Sequence, residues 1–160
     1  MIEIYTDGAC RNNQQAINQG GWGLVLTDMY TGKIRHCWGH QADTTNNRME
    51  MTAAIKALEA IRNRPRSEVT IYSDSNLLIQ GMNEWMTGWK AKGWKNASKK
   101  PVGNKDLWLL LDELSGNHDV TWRYVKGHNG DVDNELADKL ANRGADGGNG
   151  WQDFEGGELH

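Results

Sequence analysis

The alternation of apolar and polar positions along the 160 residues predicts five β-strands. Ile2 and Ile4 alternate with Glu3 and Tyr5, which is the two-residue period of a strand. The five strand patterns occupy residues 2–6, 21–28, 33–40, 68–74 and 119–125. Because only the four residues MYTG separate the second pattern from the third, these two strands are predicted to form an antiparallel hairpin.

Apolar residues at helical spacing predict the helices. After the capping residues TTNN at 44–47, four of them recur every three or four positions: Met51, Ile55, Leu58 and Ile61. Further helical patterns cover residues 75–86, 104–115 and 131–145. The order of three strands, a helix, a strand, helices, a strand and a helix predicts an α/β fold. Its sheet is a mixed five-stranded one, an antiparallel meander plus parallel strands, flanked by helices.

Length and composition indicate one folded domain, since 160 residues with 38% hydrophobic side chains can bury a core. No apolar run approaches the roughly 18 residues of a membrane helix. The N-terminus MIEIYTD lacks the features of a signal peptide, so a cytoplasmic protein is expected. The Gly-rich, acidic stretch 146–160 predicts a flexible tail after a domain at 1–145.

The charge is unevenly distributed along the chain. Residues 86–105 contain six Lys and no Asp or Glu, whereas the other 140 residues carry 12 basic and 21 acidic side chains. An acidic body with one basic arm suggests a polyanionic partner, although a solvated lysine-rich loop explains the charge equally well. Trp85, Trp89 and Trp94 favour binding, since indoles stack on bases and sugars. The alternative is that these tryptophans form a local core that holds the arm.

Two aspartates end apolar strand patterns. If the strands of Asp7 and Asp74 are parallel neighbours, their carboxyl ends point into the same crevice, where open α/β sheets place ligands. A turn explains Asp7 equally well, and a helix N-cap explains Asp74. Glu50 and Asp138 lie about 100° and roughly 160–200° around their helices from the apolar stripes, which favours solvated helix-face charges. Spacing alone therefore does not bring the four acids together.

Five stretches, in this order, resemble type 1 ribonuclease H of the bacterial ribonuclease HI family: YTDGAC (5–10), TTNNRMEMTAAIKALE (44–59), YSDSNLLIQG (72–81), WKAKGWKNASKKPVGNKDLW (89–108) and VKGHNGDVDNELADKLA (125–141). The resemblance covers most of residues 1–145. It implies a ribonuclease H-like fold and an endoribonuclease that hydrolyses the RNA strand of RNA–DNA hybrids, leaving 3′-hydroxyl and 5′-phosphate ends. It places Asp7, Glu50, Asp74 and Asp138 at the four metal-binding carboxylate positions, and His128 at that of an accessory loop histidine.

The implied cofactor is Mg²⁺, with two ions per active site when substrate is bound and Mn²⁺ as a substitute. Carboxylate oxygens are the ligands that Mg²⁺ prefers. Four carboxylates in one crevice would repel one another without cations, so such a cluster implies a metal requirement. The implied partner is an RNA–DNA hybrid duplex, and the protein is expected to be a monomer that binds no membrane.

The resemblance also implies a set of substrate-binding residues: Gly8, Cys10, Asn13, Thr45, Asn46, Asn47, Asn76, Gln80, Trp85, Lys90, Lys92, Lys95, Lys99, Lys100 and Lys126. Asn and Gln amides offer both a donor and an acceptor, which suits minor-groove edges and sugars, although helix capping and turns explain them too. At Asn76 the family commonly carries Gln. The loop at 11–19 is longer than the family's usual link and contains neither Gly nor Pro.

Two other functions remain open from the sequence. One is a different nuclease on the same fold, such as a DNA-strand resolvase or an integrase-like enzyme; the basic arm and the TTNNRME motif argue against it. The other is a hybrid-binding module without catalysis, and the presence of all four carboxylates argues against that. A cleavage assay that compares hybrid, duplex DNA and single strands separates the three.

Overall fold

The fold is a mixed β-sheet with helices on both faces. A computed structural model describes residues 1–11, 17–127 and 130–155. The strands within these ranges are β1 (Ile2–Arg11), β2 (Gln19–Asp28), β3 (Ile34–Ala42), β4 (Glu68–Ser73), β5 (Asp119–Tyr124) and β6 (Gly150–Phe154). The helices are α1 (Asn46–Ile61), α2 (Asn76–Gln80), α3 (Met86–Ala91), α4 (Lys105–Ser115) and α5 (Val132–Ala145), with a π-helical turn at Gly81–Trp85.

The strands follow the spatial order β5-β4-β1-β2-β3-β6. β1, β2, β3 and β6 pair in antiparallel fashion, whereas β1, β4 and β5 run parallel to one another. The predicted α/β class, with an antiparallel meander joined to parallel strands, is therefore confirmed. Parallel β1 and β4 carry their carboxyl ends to the same edge of the sheet, which is where ligands bind in sheets of this kind.

The described sheet has six strands rather than the predicted five, because residues 150–154 form β6 along the outer edge of β3. This corrects the expectation of a flexible tail for that stretch. Arg35 donates two hydrogen bonds to Asp153, and its guanidinium lies 4.8 Å from the centre of the Trp151 ring. Such cross-strand partners are far apart in sequence, so the local Gly-rich composition concealed the strand. The domain boundary at residue 145 stays a prediction.

Opposite faces of the sheet bury two separate apolar clusters. Ile4 and Leu24 pack with Leu58 of α1 on one face, and all three are at most 1% exposed. Val25 packs with Leu140 of α5 on the other face. Each such side chain contributes roughly 1.5–3 kcal/mol when it leaves water. The central strands β1 and β2 are thus held between α1 and α5.

Glycine residues in β2 let α5 approach the sheet closely. A Cβ atom at Gly23 would lie 2.6 Å from the carbonyl oxygen of Ala137, which is closer than real contacts allow. Gly23 is the residue of β2 that pairs with Asp7 of β1. Because Ala137 lies directly over Gly23, the next residue of α5, Asp138, is carried to the same end of β1 as Asp7.

The helix predicted over 75–86 is longer than expected and has three parts. The helix runs from α2 through the π-helical turn into α3 and ends at Ala91, so its last six residues belong to the predicted basic arm. Met86 and Trp89 pack against the main core, which explains why the helix continues. No helix in the described ranges combines the length and apolarity needed to cross a membrane.

Candidate active site

An open cleft of about 470 Å³ lies where the parallel pairing of β1 and β4 ends, beside the N-termini of α1 and α2. Its lining consists almost entirely of acids and small polar residues: Asp7, Gly8, Asn46, Asn47, Glu50, Asp74, Ser75, Asn76, Leu77 and Asp138. All four carboxylates that the sequence singled out are among them. A cleft of this composition suits a charged or strongly polar ligand rather than an apolar one.

Asp7 lies inside β1 and not at the end of the strand. β1 continues to Arg11 against β2, whereas its parallel pairing with β4 stops at Tyr5 and Tyr72. Asp7 therefore stands where β4 has left β1 and the sheet opens toward the cleft. The alternative of a turn at this position is wrong. The Asp7 side chain is 5% exposed, and its Oδ1 accepts a hydrogen bond of 2.9 Å from the backbone N–H of Gly8.

Glu50 reaches Asp7 because Gly8 has no side chain. A Cβ atom at Gly8 would overlap the backbone of α1 at Met49 and Glu50. With this close approach, the Gly8 N–H donates to Oε1 of Glu50 at 2.7 Å, and the Ser73 hydroxyl lies 3.4 Å from Oε2. Glu50 is 5% exposed, so the alternative of a solvated helix-face charge is wrong. The angle of Glu50 from the apolar stripe of α1 did not predict this burial, because β1 packs against this side of the helix as well.

Asp74 follows β4 at the position that matches Asp7 on β1, two residues beyond the last pair of Tyr5 with Tyr72. It is not the cap of α2, since the Ser75 hydroxyl accepts the capping hydrogen bond from Leu78 N–H at 3.2 Å. The Asp74 carboxylate is thus left to face the cleft. Each of Asp7, Glu50 and Asp74 offers an oxygen, and these three oxygens lie within 4.8 Å of one another.

Asp138 lines the same cleft from α5 and is half-buried. It does not belong to the group of three acids whose oxygens lie within 4.8 Å, as far as the described residues are concerned. Asn142, one turn later on α5, donates to the backbone carbonyl of Asp138 at 3.0 Å and lies 3.5 Å from its Oδ1. The cleft therefore has three converging acids and a fourth at its side.

Burial and nearby carboxylates raise the pKa values of the two innermost carboxyls, those of Asp7 and Glu50. For Asp7 the largest cause is burial, followed by the adjacent Glu50 and Asp74 carboxylates. For Glu50 burial is again the largest cause, and the Asp74 charge raises its pKa further. The hydrogen bond with the Asp7 carboxyl is the largest effect that lowers the pKa of Glu50, and hydrogen bonds from Gly8 and Ser73 add to it without cancelling the rise. Buried acids that repel one another bind protons or cations.

The donor set fits a divalent cation of the hard type. All three converging side chains supply carboxylate oxygens, the ligand class of Mg²⁺ and Mn²⁺, and the cleft is open to water and substrate. A cation would also relieve the repulsion that raises the pKa values of Asp7 and Glu50. The chain therefore presents a candidate metal site at Asp7, Glu50 and Asp74, with Asp138 within the same cleft.

We expect the chelated protein to lose stability as the pH rises from about 5 to 8. A carboxyl whose pKa is raised by folding holds a proton that the unfolded chain releases above roughly pH 4, so the free energy of unfolding falls as pH rises through that window. Thermal melts in EDTA measure this loss. Adding millimolar Mg²⁺ at pH 7.5 should raise the melting temperature by about 3–6 °C, since a ligand that binds the folded state stabilises it.

Glu50→Gln is the matched control for this pH dependence, because it keeps the size of the side chain and removes its charge. The difference in melting temperature between the variant and the original chain in EDTA is expected to grow with pH. Equal pH slopes for the two proteins would show that Glu50 is not the source of the destabilisation.

Three of the amides predicted to contact substrate line the cleft. Asn46, Asn47 and Asn76 are exposed lining residues, and Gln80 is exposed at the end of α2. The side chains of Asn46 and Asn47 are not used to cap α1, because Thr45 is the cap and its hydroxyl accepts from Arg48 N–H at 3.1 Å.

Of the remaining predicted contacts, Gly8 lines the cleft, and the Cys10 thiol donates to the Thr44 carbonyl at 3.6 Å. Asn13 and His128 lie outside the described residues.

The basic arm, residues 86–105, is anchored by tryptophans whose rings contact one another at tilted angles. The ring of Trp89 lies 5.8 Å from that of Trp85, 6.2 Å from that of Trp94 and 5.1 Å from that of Trp108, between ring centres. Trp89 and Trp94 pack against the core, so they hold the arm in place. Trp85 is 37% exposed and leaves an aromatic face toward solvent. The local-core interpretation therefore applies to Trp89 and Trp94, and binding by Trp85 stays a prediction.

The predicted lysines differ in whether a carboxylate already pairs with them. Lys90 donates to Asp112 at 3.1 Å, so its charge is partly neutralised within the fold. The other predicted lysines are exposed and take part in no ion pair that the described residues form: Lys92, Lys95, Lys99, Lys100 and Lys126. Four of these five lie on the arm, which makes it the main concentration of uncompensated positive charge.

Two supporting residues were missed by reasoning from sequence. Ser73 connects Glu50 to the start of α2, because its hydroxyl also accepts from Ser75 N–H at 3.0 Å. Arg48 ties the N-terminus of α1 to the base of the arm through a bidentate ion pair with Asp106, at 2.8 and 3.1 Å. Ser73 directly precedes Asp74, which was a usable signal. Nothing in the local sequence linked Arg48 to α4.

Comparison with known proteins yields one family. The family model described as RNase H matches residues 1–146. A ribonuclease H of Francisella tularensis subsp. novicida is 52% identical over 142 residues, which span 89% of each chain. A ribonuclease H of Pseudomonas entomophila is 49% identical over 145 residues, or 91% of this chain and 93% of the relative.

Solved structures agree in fold. LC9-RNase H1, described as a type 1 RNase H with the type 2 active-site motif, aligns with a TM-score of 0.85 at 32% identity, over 98% of this chain and 77% of that one. LC11-RNase H1 in complex with an RNA/DNA hybrid aligns with a TM-score of 0.67 at 25% identity, over 91% of this chain and 97% of that one. The similarity in fold thus extends over more than nine-tenths of this chain.

Proposed function

Because the chain belongs to the ribonuclease H family and is therefore a nuclease, we propose that it hydrolyses the RNA strand of RNA–DNA hybrids. The observation that carries this proposal is the convergence of Asp7, Glu50 and Asp74, with oxygens within 4.8 Å, in a polar cleft. Attack of water on phosphorus with departure of the 3′-oxygen leaves 3′-hydroxyl and 5′-phosphate ends.

Asp7, Glu50 and Asp74 would hold the divalent cations, with Asp138 completing the set from α5. We propose two Mg²⁺ ions when substrate is bound, with Mn²⁺ able to substitute. When bound, such a pair activates the attacking water and stabilises the leaving oxygen. The Gly8 N–H and the Ser73 hydroxyl fix the orientation of the Glu50 carboxylate, so the site is organised before the substrate arrives.

The amides at the rim of the cleft would read the hybrid. Asn46, Asn47 and Asn76 present both donors and acceptors to the groove, where one strand carries 2′-hydroxyls and the other lacks them. Thr45 uses an oxygen lone pair as the cap of α1, so its hydroxyl hydrogen is left to donate to a phosphate. The hybrid bound to LC11-RNase H1, a protein of the same fold, supports this class of substrate.

The arm would bind the DNA strand at a distance from the cleft. The exposed face of Trp85 suits packing on a deoxyribose, and the uncompensated lysines beside it suit phosphates. Lys90 would contribute less than the others because Asp112 already pairs with it. Binding by the arm is therefore expected to weaken steeply with salt.

Asn13 and His128 enter the proposal through the sequence alone. Asn13 would contact the minor groove, and His128, whose ordinary pKa is near neutrality, would assist proton transfer or product departure. Lys126 and Cys10 would line the path of the substrate near the same loops. We further propose that residues 1–145 form the catalytic domain and that the protein acts as a monomer.

A panel of substrates tests the function. Equal concentrations of RNA–DNA hybrid, double-stranded RNA, double-stranded DNA and each single strand are incubated with the full chain in Mg²⁺, in Mn²⁺ and in EDTA. Cleavage of the hybrid alone, dependent on a divalent cation, is the expected result. Product ends are then checked by polymerase extension, which needs the 3′-hydroxyl.

The same panel decides between the alternatives. Preferential cleavage of duplex DNA or of a branched DNA would support a resolvase or integrase-like nuclease. Tight hybrid binding without cleavage in either cation would support a binding module, and would contradict the catalytic proposal.

A further inference from the structure

The side chain of Asn18 clamps the backbone that leads into α1. Asn18 Nδ2 donates to the Thr44 carbonyl at 2.8 Å, and Asn18 Oδ1 accepts from the Thr44 N–H at 2.8 Å. The Asp43 N–H also donates to the backbone carbonyl of Asn18 at 3.0 Å. One asparagine thus makes three hydrogen bonds to two consecutive residues of a segment that lies 25–26 positions away in sequence.

This geometry extends the β-sheet beyond its regular end. The last pair of β2 with β3 joins Gln19 to Ala42, so the next residues in the ladder would be Asn18 and Asp43. An amide side chain carries one donor group and one acceptor, as a peptide group does, and can therefore pair with both backbone groups of Thr44. Side chains with only a donor or only an acceptor could not make both bonds.

The clamp is the main polar restraint on Thr44 in the described chain. The Thr44 side chain is buried at 6% exposure, and its hydroxyl has no hydrogen-bond partner among the described residues. Apart from the amide of Asn18, the described polar contact to Thr44 is the long one from the Cys10 thiol, at 3.6 Å. Removing Asn18 would therefore free this segment more than removing any other described polar group.

The clamped segment leads directly into the rim of the cleft. Thr44 is followed by the cap Thr45 and by Asn46 and Asn47, whose exposed side chains line the cleft. The first turn of α1 takes its direction from the backbone at Thr44, because Thr45 is extended and non-helical. Restraint at Thr44 is thus passed to the two amides without any contact between Asn18 and the cleft.

We propose that Asn18 is a positioning residue that holds Thr45, Asn46 and Asn47 in their substrate-binding arrangement before the hybrid arrives. This inference rests on the proposed function. Preorganisation lowers the entropy lost on binding, so Asn18 acts on the affinity for the hybrid and leaves the hydrolytic step to the carboxylates.

Asn18→Ala is expected to raise KM for the hybrid about three- to tenfold and to leave kcat within about twofold, since each lost hydrogen bond contributes on the order of 1 kcal/mol. The decisive readout is a double-mutant cycle. In a chain that already carries Asn46→Ala and Asn47→Ala, adding Asn18→Ala should raise KM by a clearly smaller factor than in the original chain, because two of the three residues that Asn18 positions have lost their amides.

Asn149→Ala is the matched control, since its side-chain oxygen also accepts from a backbone N–H, that of His40 at 2.8 Å, but at the β3–β6 side of the sheet. Its KM should equal that of the original chain at a similar loss in melting temperature. An unchanged KM in Asn18→Ala, or a full effect in the Asn46→Ala, Asn47→Ala background, would overturn the inference alone. Absence of hybrid turnover by the original chain would overturn the proposed function and the inference with it.

Discussion

Asp7→Asn is expected to lower kcat for hybrid hydrolysis by at least about 10³-fold while making the metal-free protein more stable. The loss follows from removing a central cation ligand, which supplies several kcal/mol of transition-state stabilisation. The gain follows from removing a carboxyl whose pKa is raised by burial and by the neighbouring Glu50 and Asp74 carboxyls. The Asn oxygen can still accept from the Gly8 N–H, so the fold at this position is kept.

Two measurements check this prediction: single-turnover cleavage in Mg²⁺ and thermal melts in EDTA. Asp119→Asn is the control, because Asp119 lies at the start of β5, far from the carboxyl ends of the strands, in an exposed ion pair with Arg66. Such a pair is worth at most about 1 kcal/mol, so the control should keep full activity. An Asp7→Asn protein that still cleaves at more than a tenth of the original rate would contradict the assignment of Asp7.

Replacing Lys92 and Lys95 together with Gln is expected to weaken hybrid binding about tenfold at roughly 100 mM salt. Each phosphate contact that is lost removes close to one unit from the slope of log affinity against log salt, so the slope should fall by about one to two. Both lysines lie on the arm, in the same surface groove as Trp85, and neither forms an ion pair within the described residues. Fluorescence anisotropy with a labelled hybrid, in Ca²⁺ to prevent turnover, measures the slope.

A double variant of equal charge change provides the comparison. Lys33 lies between β2 and β3 and Arg62 follows α1, both at the end of the sheet opposite the cleft. Lys33→Gln with Arg62→Gln should leave affinity and salt slope nearly unchanged. If both double variants lowered the slope equally, binding would depend on total charge rather than on the arm.

The order of elements and the identity of the four acids could be predicted from the sequence. Periodicity located the strands and helices, and the motif resemblance selected Asp7, Glu50, Asp74 and Asp138, which the structure gathers in one cleft. Glu50 shows the limit of the helical pattern. Its position on α1 alone is typical of a solvated charge. Its burial is explained by Gly8, 42 positions away on β1, which has no side chain and so lets the two elements approach closely.

Features that depend on long-range pairing could not be predicted. β6 lies in a stretch whose Gly-rich, acidic composition is typical of a flexible tail. It is held on the sheet because Arg35 and His36 of β3 contact Asp153 and Phe154. The Asn18 clamp is of the same kind. Asparagine in a polar loop predicts a turn, and its pairing with Thr44 becomes visible only when β2 and β3 stand side by side.

The most direct test of the central claim is cleavage of one RNA–DNA hybrid whose two strands carry different fluorophores. With Mg²⁺, the RNA label is expected to shift to short products that end in a 3′-hydroxyl, while the DNA label keeps its full length. EDTA should abolish the shift, and so should Asp7→Asn. Shortening of the DNA label, or cleavage of the RNA that persists in EDTA, would contradict the account.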